Sequence, residues 1–499
     1  MNAVSLIRNA EPTQTPWRFR FDETRWCTLI HVLEKDPLLL MGLWCDGQDI
    51  HAVFLDEGQP IVATLALENG RYPALSPVRE VASFDERIIC DLYGVEVMGA
   101  LDDRPLLDHN MWQVSMPMGR RLQFDDNHKG LPCFYPSDQF FQGAELLEGW
   151  GPATGNMDPP FHVSVALRCG YILRAESQMG YTHRGLALRW CHSSIKEACR
   201  LSARVSAGVS VAHQVAFCMA VENAYGICVA PDISLIRVAL LELERIIHHL
   251  YKLAILAHLM GADLIAHRCM SLREDILEAQ IPITGSRLLV DVCLPGTVTL
   301  SNVCRIGELC YKLYINIYEK IISLENTWRV YPGLMTRLMS LGSISREEVV
   351  QFGVEGPVAR ASGKEEDQRK MMPSYAGLWR YSSVQRQGTG NDRSLVLFNE
   401  VTESLRMLGM LADPLNTSSV IKDMGYWGEK GEGIAVVEGP WGPVLYWVQL
   451  SQGYVSHVFQ RGPEKAIQLL FERSLQNHTM DKIPLLACSL GVNAAAFDL

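Results

Sequence analysis

A chain of 499 residues, 48% hydrophobic and 20% charged, has the balance of a folded globular protein of two or three domains. Its 45 basic and 56 acidic residues leave a net charge of -11, which excludes general nucleic-acid binding, since that needs basic surface to displace counterions. No uninterrupted apolar run reaches the length of a membrane span, and the start, Met1 to Arg8, is soon broken by polar residues and Pro12. Neither a spanning helix nor a secretory leader is therefore expected, and the expected place is cytoplasmic, peripheral to the inner membrane through partners. The 14 cysteines include no C-x-x-C pair. Cys191 with Cys199, and Cys304 with Cys310, come nearest to a pairing, but in a cytoplasmic chain such scattered cysteines read as small buried hydrophobes.

From the N-terminus, Trp26–Leu33 and His51–Asp56 read as strands, bounded by turn formers such as Asp46-Gly47. Ser83–Val95 reads as a short helix that Ser83 can cap and Gly94 can end. That helix carries Glu86, Arg87, Asp91, Tyr93 and Gly94, and Asp103-Arg104-Pro105-Leu106-Leu107 follows. A capped helix with surface ion pairs satisfies the same residues. The order and spacing of the whole string nevertheless resemble the thirty-kilodalton-type subunit of complex I, with its E-R-x-x-x-D-L/M-Y/F-G and D-x-R-x-L strings. Residues 114–150, rich in Gly, Pro and aromatics without sustained periodicity, read as a connector between a domain at 1–113 and a second at 151–499.

The second region opens Gly151-Pro152-Ala153-Thr154-Gly155-Asn156 and continues through Phe161–Leu167. It resembles the β-hairpin that begins the forty-nine-kilodalton-type subunit of complex I. The resemblance implies a quinone-headgroup histidine where Thr154 stands, a tyrosine at Ala207 and an aspartate at Leu259, so a copied quinone mechanism is not expected. Ser234–Leu250 reads as a helix capped by Asp232 or Ser234, with Ile236, Leu240, Leu243 and Ile247 on one buried face. Leu253–Ala262 is apolar almost all round, as a central bundle helix is. Adjacent His248 and His249 point to different sides of that helix, so they read as structural histidines rather than as a ligand pair.

The stretch Arg204-Val205-Ser206-Ala207-Gly208-Val209-Ser210-Val211-Ala212-His213, continued by Val221-Glu222-Asn223-Ala224-Tyr225-Gly226, is the most specific in the chain. It resembles the first metal-ligand segment of group 4 nickel-iron hydrogenase large subunits, R-V-C-G-I-C-G-F-A-H followed by V-E-N-A-x-G. On that frame the two cysteines fall on Ser206 and Val209, and the histidine is kept as His213. The C-terminal S-L-D-P-C-x-x-C places its cysteines on Asn493 and Ala496. The glutamate of H-R-G-x-E, after His183-Arg184-Gly185-Leu186, falls on Ala187. Gly356-Pro357-Val358-Ala359-Arg360-Ala361-Ser362-Gly363 matches G-P-x-x-R-A-S-G, whose arginine reaches toward the active cavity, although the next family aspartate falls on Met371. Glu438-Gly439-Pro440-Trp441-Gly442 resembles the E-A-P-R-G strand pair. Nickel in such sites is held by four thiolates. Valine and alanine offer no lone pair, serine must ionise a hydroxyl, and a neutral amide oxygen suits a soft site poorly, so no bound metal is expected. The chain stops three residues after Ala496, so nickel-triggered removal of a tail is not expected either.

These readings predict an α+β chain. A small α/β domain like the thirty-kilodalton subunit of complex I precedes a large, mainly α-helical bundle of the hydrogenase large-subunit type with peripheral β-hairpins. The resemblance implies the fused, formate hydrogenlyase type of subunit in a membrane-associated respiratory complex, with electron transfer from NADH or ferredoxin to a quinone-type acceptor and ion translocation. Its partners would be an iron-sulfur small subunit with a 4Fe-4S cluster, ferredoxin-like subunits and antiporter-like membrane subunits. No cofactor is expected on this chain itself. Ser206, Val209 and His213 are expected to share a helix, and Arg184, Arg360 and Asp498 to supply the remaining charges. Two readings of that place stand level: a redesigned cavity that binds a quinone or other acceptor and relays protons through His213, or a packed vestige. The rival functions are a non-catalytic scaffold and a working nickel-iron hydrogenase.

Overall fold

The computed structural model describes residues 2–119, 123–124, 136–137, 139–154, 159–381, 383–417 and 428–498, with backbone alone at 123, 124, 416, 417 and 498. Much of the connector, together with Gly155 and Asn156 of the hairpin segment, lies outside the described residues. The N-terminal unit is a five-stranded sheet in the order Glu11–Pro12, Arg18–Phe21, Gln59–Ala66, Asp49–Asp56, Leu39–Cys45. Its pairs are antiparallel except that Arg18–Phe21 runs parallel to Gln59–Ala66.

Trp26–Leu33, expected as a strand, lies within the helix Glu23–Leu33, started by Asp22, whose side chain accepts from Arg25 N at 2.7 Å. The β-branched Thr28, Ile30 and Val32 suggested a strand, but the buried residues are Trp26, Leu29 and Leu33, spaced three and four apart. The next helix is Ala82–Tyr93. Ser83 does not cap it but lies inside it, whereas Gly94 ends it in the left-handed conformation at φ 67. The string that carried the resemblance is a set of clamps. Glu86 accepts from Leu75 N and Ser76 N at 2.6 and 2.9 Å, and Asp91 accepts from Leu106 N and Leu107 N at 2.9 and 2.7 Å. Arg87 donates to the carbonyls of Arg104 and Pro105 and pairs with Asp102 at 3.1 Å.

Leu146–Trp150, inside the expected connector, is the first strand of an antiparallel sheet completed by His162–Arg168 and Tyr171–Gln178. The body beyond is a bundle of Ser210–Tyr225, Pro231–Leu259, Asp263–Thr284, Ile306–Val330 and Gly390–Leu411. The long helix Pro231–Leu259 is capped at Ala230 rather than at Asp232 or Ser234. Pro231 takes the first helical position, where its missing N–H is no loss, and Asp232 sits in the first turn.

A second antiparallel sheet, Lys430–Gly439, Gly442–Ser451 and Tyr454–Arg461, lies between the bundle and the N-terminal unit. Alternation along its central strand gives the two faces different jobs. Leu445 and Trp447 pack with Trp44, Val53, Val62 and Phe459 toward the N-terminal sheet, where Trp44 and Phe459 stack at 4.4 Å. Close approach there needs Gly42, because a Cβ would stand 2.7 Å from Phe459. Tyr446 faces the other way, against Phe217 and His213 of the helix Ser210–Tyr225.

Candidate functional site

Ser206 and Val209 do not lie on the helix of His213. Val209 occupies its cap position and Ser206 the turn before it, so the expected shared helix face is replaced by a loop that feeds a helix start. Gly208 makes this turn possible: its φ is 82, and a Cβ would stand 2.8 Å from His248. The free N–H groups of that helix start are taken by Glu244 of the long helix, which accepts from Val211 N and Ala212 N at 2.5 and 3.0 Å. Burial pushes this carboxyl up to about 8.

The two sequence-distant ligand segments meet. Asn493 Nδ2 donates to Ser206 Oγ at 2.9 Å, and its Oδ1 accepts from Ala495 N at 2.9 Å. Arg184 ties both together, donating to the carbonyls of Arg204, Val205 and Ala495 at 2.6, 2.9 and 2.8 Å. Val209 and Ala496 are buried beside them. Four positions that hold thiolates in hydrogenases thus supply one hydroxyl and one amide, already bonded to each other, and two apolar side chains. These residues do not fit a nickel ion.

His213 is fully buried. Its Nδ1 lies 3.0 Å from the Tyr446 hydroxyl, and its Nε2 has no partner among the described residues. Burial, with Arg184 nearby, lowers its pKa to about 3, so the ring is neutral at ordinary pH. A tyrosine hydroxyl donating to Nδ1 leaves the proton on Nε2, as a buried donor without an acceptor. Trp441 stands where E-A-P-R-G has its arginine. It packs on His248 and His249 and leaves no room for a Cβ at Gly491, which therefore has to be glycine.

Arg360 has other partners. It sits in a buried ion cluster, 2.6 Å from Glu400, 3.1 Å from Glu438 and 3.4 Å from Asp367. Arg245 and Arg369 join from the same side, and Glu242 completes the set. Three arginines face four acids. The fourth negative charge is relieved at Glu438, which burial and Asp367 push up to about 7. His249 binds Glu400 at 2.9 Å, a structural role that also accounts for it. The side chain of Asp498 lies outside the described residues. Thr154 and Leu259 are half-buried and Ala207 is exposed. Sequence reasoning missed Tyr446, the partner of His213, since one tyrosine among alternating strand residues carries no local signal.

Residues 260–452 match the family described as the 49 kDa subunit of the respiratory-chain NADH dehydrogenase. The chain is thus similar to complex I and hydrogenase large subunits. Among its relatives is the carbon monoxide-induced hydrogenase of Rhodospirillum rubrum, 27% identical over 60% of this chain and 84% of that protein. Formate hydrogenlyase subunit 5 of Escherichia coli is 26% identical over 75% of this chain and 68% of its own. The fused C/D protein of the NADH-quinone oxidoreductase of Bacteroides thetaiotaomicron is 27% identical over 76% of each. Among solved structures, a chain of the membrane-bound sulfane sulfur reductase, an archaeal respiratory membrane complex, shares the fold with a TM-score of 0.65 and 22% identity. That likeness covers 73% of this chain and all of the other. No helix among the described residues is long and apolar enough to cross a membrane.

Proposed function

We propose that this chain is the acceptor-side subunit of a membrane-associated respiratory oxidoreductase, holding no nickel and evolving no hydrogen. Electrons come from a 4Fe-4S cluster in a partner small subunit, fed through ferredoxin-like subunits by NADH or ferredoxin. They pass to a quinone-type acceptor at the rim formed by Ala207, Gly208, Asn493 and Arg184, and antiporter-like membrane subunits couple the transfer to ion movement. What carries this reading is the buried Nε2 of His213, unmatched among the described residues beside the emptied ligand frame; with Tyr446 donating to Nδ1, it holds the proton that the acceptor would take. Arg184 adds a positive charge at the same place, where negative charge develops on a reduced acceptor.

The test is reoxidation. The complex is purified from solubilised membranes through a tag on this chain, its clusters are reduced, and a water-soluble quinone is added, with sulfane sulfur as a second acceptor. Fast reoxidation that His213→Gln abolishes supports the reading. The scaffold reading draws on the tight packing of Val209 and Ala496, and it predicts that neither acceptor nor substitution changes anything.

A further inference from the structure

The strand Tyr454–Arg461 runs almost directly into the helix Glu464–Ser474, and buried polar atoms without partners collect at this corner. Gln460 donates to the Ala496 carbonyl at 3.0 Å, yet its Oε1 is unmatched. Arg461 is 1% exposed, and neither Nε nor Nη1 meets an acceptor among the described residues. Glu464 is similarly enclosed, with Oε2 unmatched, and its carboxylate lies so close over Gly462 that no Cβ fits there. Tyr446 stands opposite Gln460 in the ladder, within the field of Glu464, and holds His213 Nδ1. His213 Nε2 is the next unmatched atom.

Unsatisfied buried groups therefore run from Glu464, past Gln460 and Tyr446, to His213, while Arg461, opposite Leu445, lies on the other face of the strand. Each would cost stability if left dry. Internal water satisfies such atoms where several converge. The other charges at the corner are already matched: Lys465 binds Asp85 of the helix Ala82–Tyr93, and Lys364 binds Glu355. Glu464 is thus the acid left facing this run, with the charge of Arg461 acting on it from the other face. Burial pushes the Glu464 carboxyl up to about 7 against the pull of Arg461 and Lys465, so it exchanges a proton near neutrality.

We propose that Glu464 is the proton-loading residue of this subunit, delivering through internal water, Tyr446 and His213 to the acceptor at the emptied ligand frame. The proposal rests on the acceptor reading above. Reduction of a quinone to the quinol takes two electrons, from the partner's cluster, and two protons. For one of those protons, Glu464 releases its own to water. Tyr446 passes its hydroxyl proton to His213 Nδ1 and takes one from that water, and the Nε2 proton bonds to an oxygen of the reduced quinone. Solvent supplies the second proton to the quinol and reloads the Glu464 carboxylate, and proton exchange returns the imidazole to its Nε2–H tautomer. The glutamate that Ala187 replaces is thereby substituted by one from another element.

The test uses the assembled complex and compares the parent with Glu464→Gln and Glu464→Asp in cluster reoxidation by quinone across pH. In the parent, the rate is expected to fall as pH rises through about 7. Glu464→Gln is expected to slow reoxidation by about a hundredfold and to remove that inflection, while Glu464→Asp, which keeps the acid, restores both in part. A Gln variant as fast as the parent with the same pH profile overturns the relay and leaves the acceptor reading standing. An Asp variant as slow as Gln, with no inflection, also overturns it, because the role is then structural. A parent that quinone does not reoxidise overturns both.

Discussion

Arg360 and His213 are both fully buried in one core, yet their surroundings differ atom by atom. Around Arg360, three carboxylates close on one guanidinium, and two further arginines and a fourth acid extend the set until the charges nearly balance. Around His213 the ring has one partner, Tyr446, and a second nitrogen with none among the described residues. The first cluster is nearly charge-balanced, with Arg245 Nε and His249 Nδ1 as its unmatched atoms, so its members chiefly hold the fold. The second carries no charge of its own and leaves one ring nitrogen without a partner among the described residues.

The largest expected effect is on the charge-balanced side. Glu400→Ala leaves Arg360, Arg245 and His249 without a shared carboxylate, and loss of one partner from a buried ion cluster costs about 3–5 kcal/mol. Chemical denaturation should read it directly, and a loss within error would mean that water rescues the cluster. On the His213 side the sign of the contrast reverses. His213→Gln should cost little stability but slow quinone-driven reoxidation by about a hundredfold; a large drop in stability with unchanged reoxidation would erase the distinction. A smaller effect, about 1 kcal/mol, is expected for Asn493→Ala, which breaks the Ser206 contact. It should leave the nickel content of the purified complex unchanged from the parent, measured by elemental analysis.

The gentlest probe is pH. Glu464 and Glu472 are each pushed by burial from 4.5 up to about 7. The folded chain therefore holds protons that the unfolded chain has released, so their contribution is complete below 4.5 and is lost as pH rises through about 7. The imidazole of His213, held down at about 3 by burial, works in the opposite sense and loses its contribution as pH falls below 6.5. Melting temperature against pH should show both flanks, and Glu464→Gln should flatten the alkaline one.

Most of the fold was legible because order and spacing survive where chemistry does not. The string from Glu86 to Gly94 could be placed from sequence because its side chains clamp backbone far along the chain, and such clamps tolerate no change of spacing. Trp26–Leu33 misled for a local reason: β-branched Thr28, Ile30 and Val32 stand beside, not on, the fully buried stripe of a helix. Ser206 and Asn493, paired in the expected frame, meet across 287 residues. The partners of Arg360 were not legible, because a motif gives a residue's place in the chain but not the number of acids that converge on it from other elements. Tyr446, Gln460 and Glu464 were invisible for the same reason. Their meaning comes from which atoms lack partners, and that is settled only by packing.

The central strand Gly442–Ser451 has a consequence for how such chains diverge. Leu445 and Trp447 face the N-terminal sheet while Tyr446 faces His213, and the alternation has a period of two residues. Adding or removing a single residue early in this strand would exchange the faces, turning the hydroxyl into an apolar seam and an indole toward the imidazole. Relatives that keep both neighbours should therefore vary freely in the lengths of their loops, but within this strand only by replacement, never by insertion or deletion.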